Sequence, residues 1–387
     1  MSPLSILLSL CFAALGTAVS AEPDAPLPDL PDLPALRYQP AAPPAVQPTA
    51  PLDVRGQADA ALDALVGLFW DSRRSAFTAA PGGRTPAEYW NAAQALDAVL
   101  DGIERSGGKR WRDLPRAFIQ GKAGGWKREE FDDENWMALA LLRVPPLTGD
   151  ASARTEAEAL LSDIEANAAD ESCCGKHPGG LWWDRDHTEK ATAINAGAVI
   201  TAARVYRQGG DKAQLAFARK VFAYWLAEMV DPATGQVADH IDKSGQKVWW
   251  RFTYNEGTMI GAAVELYRAT GETPYLDAAK KIGAFVRAKE TVGSAAGPVL
   301  SDGSSCSGDC EQFKGIAQRY LAELASVDAS GGWADLVSSD AKAIWQRDRD
   351  ERTTTFGTDW AGPPKKASLA TQSSAAMALS AAALAGH

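Results

Sequence analysis

The sequence predicts an all-α protein in which helical hairpins close into an (α/α) toroid. Apolar residues recur at spacings of three and four residues along most of the chain after residue 53. Strand-like alternation of apolar and polar residues is scarce, and one helix–turn–helix unit repeats along the chain. Because a single hairpin cannot bury its own apolar face, several hairpins must pack together in one domain.

Eleven segments carry the helical pattern, and Gly and Asp residues separate them. Their lengths, about 12 to 22 residues, are those of helices in globular proteins. Together they form one domain that covers residues 54–387. The predicted helices are residues 55–71, 85–106, 133–144, 152–168, 190–208, 211–230, 256–270, 273–290, 311–326, 336–347 and 367–385.

The repeat is marked by a Gly and a following acidic residue at the end of three helices. These pairs are Gly149-Asp150, Gly210-Asp211 and Gly271-Glu272, and they lie 61 residues apart. The helix before each pair is rich in Ala, Gly, Leu and Val on almost every side, which predicts a fully buried inner helix. The helix after each pair carries Lys, Arg and Glu, which predicts an outer helix with one exposed face.

The repeat also predicts the position of a functional cleft. If the inner helices all run in the same direction, their N-termini meet at one end of the toroid. The equivalent positions hold Asp132-Asp133, Asn195 and Tyr254-Asn255-Glu256, so we expect these side chains around one cleft. The helix N-termini would add unpaired N–H groups and the positive ends of the helix dipoles.

The N-terminal segment has the features of an export signal. Ile6 to Leu15 is a short apolar run, and Val19-Ser20-Ala21 ends it with small residues that suit signal peptidase. We therefore assign residues 1–21 to a signal peptide and expect a periplasmic or extracellular protein. Residues 22–53 are rich in Pro and Ala and are predicted to form an extended linker. No later segment reaches the length of a membrane span.

Removal of that signal would leave four cysteines, Cys173, Cys174, Cys306 and Cys310. An even number in an exported protein predicts two disulfides, and three connectivities are possible. We favour a Cys306–Cys310 bridge in a small Ser/Gly-rich loop, which leaves Cys173 and Cys174 as a vicinal pair. Zinc binding by these cysteines with His177 is the alternative, but thiols oxidise outside the cytosol, so we expect no metal.

The composition excludes one class of function and favours another. The chain has 39 basic and 49 acidic residues, and its net charge of −10 would repel phosphate backbones, so no nucleic-acid binding is predicted. The 13 Trp residues are a high count. Many of them must lie in the core, yet the flat face of Trp also stacks on the C–H-rich face of a sugar ring.

The motif Asp132-Asp133-Glu134 stands at the predicted start of a helix. Acidic residues there can simply cap free N–H groups, which requires only one carboxylate. Two adjacent carboxyls repel each other, and a partly dry cleft would raise the pKa of one and keep it protonated. Adjacent Cα atoms are about 3.8 Å apart, so the carboxyls can approach as closely as a retaining glycosidase requires. The residue types alone leave open which Asp has which role.

Seven short motifs follow one another along the chain: Tyr89-Trp90, Phe131-Asp-Asp-Glu-Asn-Trp, Gly179-Gly-Leu-Trp-Trp183, Ala193-Ile-Asn-Ala196, Thr253-Tyr-Asn-Glu-Gly-Thr, Phe313-Lys-Gly-Ile316 and Gln372-Ser-Ser374. From about Trp90 to Leu384 the sequence resembles glycoside hydrolase family 76, with the motifs in the order of that family. The resemblance implies an (α/α)6 barrel, endo-α-1,6-mannanase activity with retention, and no metal or organic cofactor. It also implies that Asp132 is the nucleophile and Asp133 the acid/base.

The remaining candidates are predicted sugar-binding residues. Their alternative roles are structural, because Trp is often buried in a core and Asn often caps a helix. Glu256 stands where that family often has Gln, and it adds a third candidate carboxylate. His177, His187 and His240 have no metal-ligand spacing and are predicted to lie on the surface. The predicted sugar-binding residues are Trp90, Trp126, Trp182, Trp183, Asn195, Tyr254, Asn255, Glu256 and Trp360.

The leading hypothesis is a monomeric endo-mannanase that acts on an α-mannan or a manno-oligosaccharide. A transglycosylase, as among the fungal cell-wall relatives of that family, would pass the same covalent intermediate to a sugar instead of water. A non-catalytic mannan-binding surface protein would keep the cleft but would not need Asp132 and Asp133. Replacing either Asp separates the binder from the enzymes, because a pure binder would keep its function.

Overall fold

The computed structural model of the protein describes residues 53–122, 124–176, 178–303 and 305–385. The predicted signal peptide, residues 22–52 of the predicted linker and His177 lie outside the described residues. The described part of the chain forms twelve α-helices, and none of them is both long and apolar enough to cross a lipid bilayer. The helices are α1 (Val54–Phe69), α2 (Tyr89–Arg105), α3 (Leu114–Gly121), α4 (Phe131–Thr148), α5 (Ser152–Asn167), α6 (Thr192–Gly209), α7 (Lys212–Met229), α8 (Thr253–Thr270), α9 (Thr273–Lys289), α10 (Cys310–Val327), α11 (Trp333–Arg347) and α12 (Leu369–Ala385).

Six helices form a closed inner ring in which each helix packs against the next. The ring runs through α2, α4, α6, α8, α10 and α12, and α12 packs against α2 to close it. The outer helices lie against this ring, with α5 on α4, α7 on α6, α9 on α8, α11 on α10 and α12, and α1 on α12. The prediction of an all-α (α/α)6 barrel is confirmed.

The glycines of the repeat end three of the inner helices. Gly149, Gly210 and Gly271 follow α4, α6 and α8 with φ angles of 85°, 77° and 74°. Residues with a side chain rarely adopt this left-handed conformation, so Gly ends the helix and lets the chain turn into the next one. The 61-residue repeat is therefore the spacing between successive inner helices.

Small residues allow the inner helices to approach one another closely. α6 is buried on every side from Thr192 to Ala203, whereas α7 buries a single face that includes Trp225. At Gly257 on α8, an added Cβ atom would lie 2.5 Å from the Cα of Ala317 on α10. Interiors are packed too densely to absorb such a contact, so only Gly fits where these two helices meet.

Nine short strands connect the helices in the described part of the chain, all in antiparallel pairing. One sheet has three strands, in the order β3-β4-β5, and it lies beside the start of α6 because β3 leads directly into that helix. Most strands have only two or three residues, which is too short for alternation to be detected in the sequence. The strands are β1 (Trp70–Asp71), β2 (Ala76–Phe77), β3 (Glu189–Ala191), β4 (His240–Asp242), β5 (Lys247–Val248), β6 (Thr291–Ser294), β7 (Gly297–Leu300), β8 (Arg349–Asp350) and β9 (Thr355–Phe356).

Buried ion pairs join the inner helices near their C-terminal ends. Glu265 on α8 contacts the guanidinium groups of Arg204 and Arg207 on α6 and of Arg268 on its own helix. The positive groups lie where the inner helices present the negative ends of their dipoles, which stabilises both. A second cluster joins α2, α4 and α10 through Arg143, Arg319, Asp97 and Asp101.

The structure differs from the predicted helices at several places, and at four of them by three or four residues: α2 begins four residues later than predicted, α4 ends four residues later, and α8 and α11 each begin three residues earlier. α3 was not predicted, because its eight residues give only about two turns of apolar periodicity. α4 begins at Phe131 and α8 at Thr253, two and three residues before their predicted starts. The acidic residues of α4 thus lie inside its first turn, where carboxylates complement the helix dipole.

Candidate active site

A cleft of about 630 Å³ lies at the end of the barrel where the inner helices begin. Residues at or next to the N-termini of α2, α4, α6, α8 and α10 line it, together with residues of the β3-β4-β5 sheet. The predicted convergence of inner-helix N-termini on one cleft is therefore confirmed. Among the described residues, no Lys or Arg lines the cleft, whereas seven carboxyl side chains do: Glu88, Glu130, Asp132, Asp133, Glu189, Asp239 and Asp309.

Asp132 and Asp133 lie in the first turn of α4, and both are half-buried in the cleft wall. The N–H of Phe131 donates to the carbonyl of Trp183 at 2.8 Å, which fixes the start of α4 against the segment before β3. The N–H of Asp133 donates to Oδ1 of Asp132 at 2.9 Å. A carboxylate at Asp132 is thus stabilised by a backbone N–H and by the positive end of the helix dipole.

The two carboxyls have different pKa values. Burial raises the pKa of Asp132 to about 7, and hydrogen bonds from the Trp183 side chain and the Asp133 N–H limit the rise. Burial also raises the pKa of Asp133, to about 8, and the charge of Asp132 adds to the shift. Between these values Asp132 is ionised while Asp133 keeps its proton, which is the combination that glycosidic bond cleavage requires.

The third acid of the motif, Glu134, fastens the segments around the pair. Its side chain is fully buried, and Oε1 accepts hydrogen bonds from the N–H of Arg128 at 2.6 Å and from the guanidinium of Arg185 at 2.5 Å. Arg185 also donates to Asp163 on α5 at 2.6 Å. Glu134 thus connects the residues before α4 to those before β3, and it does not line the cleft.

Asp239, directly before β4, is a cleft residue that the sequence analysis did not identify. Its Oδ2 accepts hydrogen bonds from the Tyr254 hydroxyl at 3.0 Å and from the Asn255 amide at 3.1 Å. Its Oδ1 lies 2.8 Å from Nδ1 of His240, whose Nε2 lies 3.4 Å from Glu189. The only signal in the sequence was an Asp-His pair between apolar residues, which is weak.

The prediction that His240 lies on the surface is wrong. The residue is only 8% exposed, because it lies in the central strand of the three-stranded sheet and Trp250 covers its ring at a centroid distance of 5.3 Å. The hydrogen bond with Asp239 raises the pKa of His240. Its proton is therefore held between two carboxyls of the cleft wall. His187, by contrast, is exposed as predicted.

Aromatic rings form one wall of the cleft. Phe313 on α10 lies next to Trp90, Tyr254 and Phe252, with ring centroids 6.4, 4.2 and 5.2 Å away. Phe252 in turn contacts Trp250 at 6.0 Å. All five residues line the cleft. We call this set the aromatic wall, and it offers flat apolar faces that suit the C–H face of a pyranose ring.

The structure brings three of the predicted sugar-binding residues to the cleft beside the acid pair. They are Trp90, Trp183 and Tyr254, and their contacts with a sugar stay predictions. Trp126 lies outside the cleft lining, where its half-buried ring packs on Phe118 with a centroid distance of 6.4 Å.

Asn195 and Glu256 bond to the protein backbone behind the cleft. Asn195 is fully buried, and its amide donates to the carbonyls of Leu181 and Ala191, both at 2.9 Å, while its oxygen accepts from the Leu181 N–H at 2.8 Å. Oε1 of Glu256 accepts from the N–H of Val237 at 2.8 Å. These side chains organise the loops that carry β3 and β4.

The other three predicted residues also have contacts inside the protein. Asn255 is fully buried beneath Asp239, which it contacts. The ring of Trp182 is buried and stacks on His187 at 5.2 Å, and Trp360 is 1% exposed with the Lys314 ammonium 5.2 Å from its ring. The structure therefore places them in supporting positions around the cleft and not in its lining.

One group of potential metal ligands occurs among the described residues. Asp302, Cys306 and Cys310 offer ligand atoms within 4.8 Å of one another. The two sulfur atoms are joined in a disulfide, as are those of Cys173 and Cys174, and a disulfide supplies no thiolate to a metal. This pairing is the connectivity favoured from the sequence.

The fold and the cleft define the class of protein. Adjacent carboxyls of unequal pKa beside aromatic faces have the chemistry of glycosidic bond cleavage, and the barrel places this enzyme among the (α/α)6 glycoside hydrolases. Sequence comparison narrows the class to one family. The model of glycosyl hydrolase family 76 matches residues 53–387, and the chain belongs to that family.

Solved structures have the same fold. The GH76A α-1,6-mannanase of Salegentibacter sp. HEL1_6 is 29% identical with a TM-score of 0.79, and the match covers 86% of this chain and 100% of that chain. An inactive variant of that enzyme, with two consecutive aspartates changed to asparagine, was solved in complex with α-1,6-mannotriose; it is 28% identical, covers the same shares and has a TM-score of 0.78.

A more distant structure shows only the likeness of fold. Dfg5 from Chaetomium thermophilum, in complex with glucosamine, is 15% identical with a TM-score of 0.70, and the match covers 85% of this chain and 89% of that chain. A search of curated proteins found no significant match.

Proposed function

We propose that the protein is a retaining, endo-acting hydrolase of α-1,6-mannosidic bonds in mannan. The observation that carries the proposal is the half-buried pair Asp132 and Asp133, in which one carboxyl ionises while its neighbour keeps a proton. The family and the α-1,6-mannanase of Salegentibacter support mannan as the substrate. The inactive variant of the Salegentibacter enzyme, in which two adjacent aspartates are replaced, binds α-1,6-mannotriose. This supports a catalytic role for two adjacent aspartates and supports the α-1,6 linkage as the bond that is cleaved.

In the first step the Asp132 carboxylate attacks C1 of a mannosyl unit while Asp133 donates its proton to the glycosidic oxygen. The bond between C1 and that oxygen breaks, the leaving part of the chain departs as an alcohol, and a mannosyl ester of Asp132 remains. The lower pKa makes Asp132 the group that is ionised for attack, and the higher pKa makes Asp133 the proton donor.

In the second step Asp133, now ionised, takes a proton from a water molecule that attacks C1. The ester bond breaks, Asp132 leaves as a carboxylate, and the two inversions at C1 give net retention. The N–H of Asp133 and the dipole of α4 stabilise the carboxylate of Asp132 as it leaves. If a sugar hydroxyl replaces the water, the same intermediate yields a longer chain, which is the transglycosylase alternative.

The test is to incubate the purified protein with unbranched α-1,6-mannan and to follow product size and anomeric configuration by proton NMR. We expect short oligosaccharides whose new reducing ends are α-configured at early times. New β-configured ends would refute retention, products longer than the substrate would show transglycosylation, and no cleavage would favour a mannan-binding protein.

Variants of the pair test the roles of the two residues. Asp132→Asn and Asp133→Asn should each lower the rate on mannan by about 100-fold or more while binding of α-1,6-mannotriose persists. Glu129→Gln is a matched control, because it removes an exposed acid close by in the chain and should leave the rate unchanged. Full activity in either Asp variant would contradict the mechanism.

We further propose that the protein is exported and monomeric. Residues 1–21 would be removed as a signal peptide and residues 22–53 would form a linker to the catalytic domain of residues 54–387. The two disulfides support an oxidising compartment. We expect N-terminal sequencing of the mature protein to begin at Glu22; an intact N-terminus on protein from the cytosol would contradict export.

A further inference from the structure

Trp249 and Trp250 leave large aromatic faces in contact with water. Their exposed fractions are 40% and 56%, and they are the only aromatic residues among the large apolar side chains that are exposed in the described part of the chain. Most other Trp side chains are buried or half-buried. Of Trp249 and Trp250, only Trp250 belongs to the cleft lining, where it forms the exposed end of the aromatic wall.

The backbone that carries Trp250 is held by contacts inside the protein. Asn255 donates to the carbonyl of Trp250 at 3.4 Å, and the N–H of Asp239 donates to the carbonyl of Val248 at 2.8 Å. The ring itself rests edge-on against His240 at 5.3 Å and Phe252 at 6.0 Å. Its position is thus set before any ligand arrives, which reduces the entropy lost on binding.

The exposed face continues the surface of the cleft. Phe252 and Phe313 connect Trp250 to Trp90 by successive ring contacts of 6.0, 5.2 and 6.4 Å, so the aromatic wall extends from the cleft interior to its rim. The cleft lining is also acidic, because among the described residues it holds many carboxyls and no Lys or Arg. A neutral sugar chain fits both features, since it stacks by its C–H faces and carries no charge to be repelled.

We propose that Trp250 is a stacking subsite for a mannosyl unit of the polymer beyond the units held at the acid pair. This inference rests on the proposed function and deepens it, because it makes the enzyme selective for long chains. A chain too short to reach the rim leaves the ring in water, whereas a longer chain covers it and gains binding free energy.

The test is the value of kcat/KM on α-1,6-manno-oligosaccharides of two to six units and on α-1,6-mannan, for the wild type and Trp250→Ala. For the wild type we expect kcat/KM to rise with length. For Trp250→Ala we expect a roughly tenfold loss on the longest substrates and little change on the shortest substrate that is cleaved. Trp250→Phe, which keeps a ring, should restore most of the loss.

Trp249→Ala is the matched control, because it removes an exposed Trp next in the chain that lies outside the cleft lining. It should keep the dependence on length. An equal loss for Trp250→Ala at every length, no loss at any length, or an equal length-dependent loss for Trp249→Ala would overturn the subsite. A wild type that cleaves no α-mannan would instead overturn the proposed function itself, so the two failures are distinguishable.

Discussion

Asp133→Asn removes the proposed proton donor and leaves the nucleophile in place. The Asn keeps the backbone N–H that donates to Oδ1 of Asp132. Burial, the main cause of the raised pKa of Asp132, also remains. We therefore expect Asp132 to titrate at about pH 7 in the variant, while the titration that ends activity at alkaline pH disappears.

The size of the effect follows from the two pKa values of about 7 and about 8. The active form, with Asp132 ionised and Asp133 protonated, makes up about 60% of the enzyme near pH 7.5 and about 10% at pH 6 and pH 9. For the wild type, kcat/KM on mannan should thus fall roughly sixfold on each side of a bell-shaped profile. Loss of the general acid in Asp133→Asn should lower it by about 100- to 10,000-fold.

An aryl mannobioside with a dinitrophenol leaving group makes the assay selective, because that leaving group needs no proton. With this substrate Asp133→Asn should release a burst of dinitrophenol, whose rate rises through about pH 7 and stays level to pH 9. Asp132→Asn should give no burst. A burst rate in Asp133→Asn that still falls above pH 8 would assign the alkaline titration to another group, and a burst in Asp132→Asn would reverse the roles.

Three further predictions concern stability and are measured by thermal and urea unfolding. Glu265→Gln should lower the free energy of unfolding by about 3 to 5 kcal/mol, because it leaves buried guanidinium groups without their shared carboxylate. Glu272→Gln, in an exposed ion pair, is the control and should lower it by less than about 1 kcal/mol. Equal losses in the two variants would contradict a stabilising role of the Glu265 ion pairs. Burial and the charge of Glu290 raise the pKa of Glu256, so the wild type loses stability as pH rises through that pKa. Glu256→Gln should have the same unfolding temperature as the wild type at pH 5 and a higher one at pH 9. An equal rise in unfolding temperature at pH 5 would refute the link between this carboxyl and stability. Gly210→Ala should cost about 1 kcal/mol through its backbone alone, because φ is 77° and no atom lies within 4 Å of an added Cβ; an unchanged unfolding midpoint would show that the turn adapts.

The barrel could be predicted because the composition of a single helix already implies how completely its neighbours must surround it. The segment Thr192 to Ala203 is small or apolar on nearly every side, and such a helix is stable in water only when other helices surround it. The three-stranded sheet was not predictable, because its pairing joins Glu189 to Asp242 across about fifty residues of chain and depends on tertiary packing. α3 could not be predicted from the sequence, because it is short and its apolar residues pack on neighbouring loops and strands, as Phe118 does on Phe77.

The acid pair was predictable because both residues are adjacent in sequence and the repeat places them at the start of an inner helix. Which other side chains face the cleft was harder to predict, because successive residues of a helix point about 100° apart around its axis. Tyr254 therefore reaches the cleft lining while Glu256, two residues later, contacts Val237 behind it. Asp239 could not be predicted as a cleft residue, because it lies outside the repeat, in a loop that the fold brings against α8.

The common direction of the inner helices explains the distribution of charge in the molecule. At their N-terminal ends the dipoles are positive, and there the cleft is lined with carboxyls, including the ionised Asp132. At their C-terminal ends the dipoles are negative, and the last turns of α2, α6 and α8 hold Arg105, Arg207 and Arg268, the last two in ion pairs with Glu265. The dipoles alone do not separate the two aspartates, because both lie in the first turn of α4. Hydrogen bonds from the Trp183 side chain and the Asp133 N–H do, since both stabilise the carboxylate of Asp132, so the proton stays on Asp133.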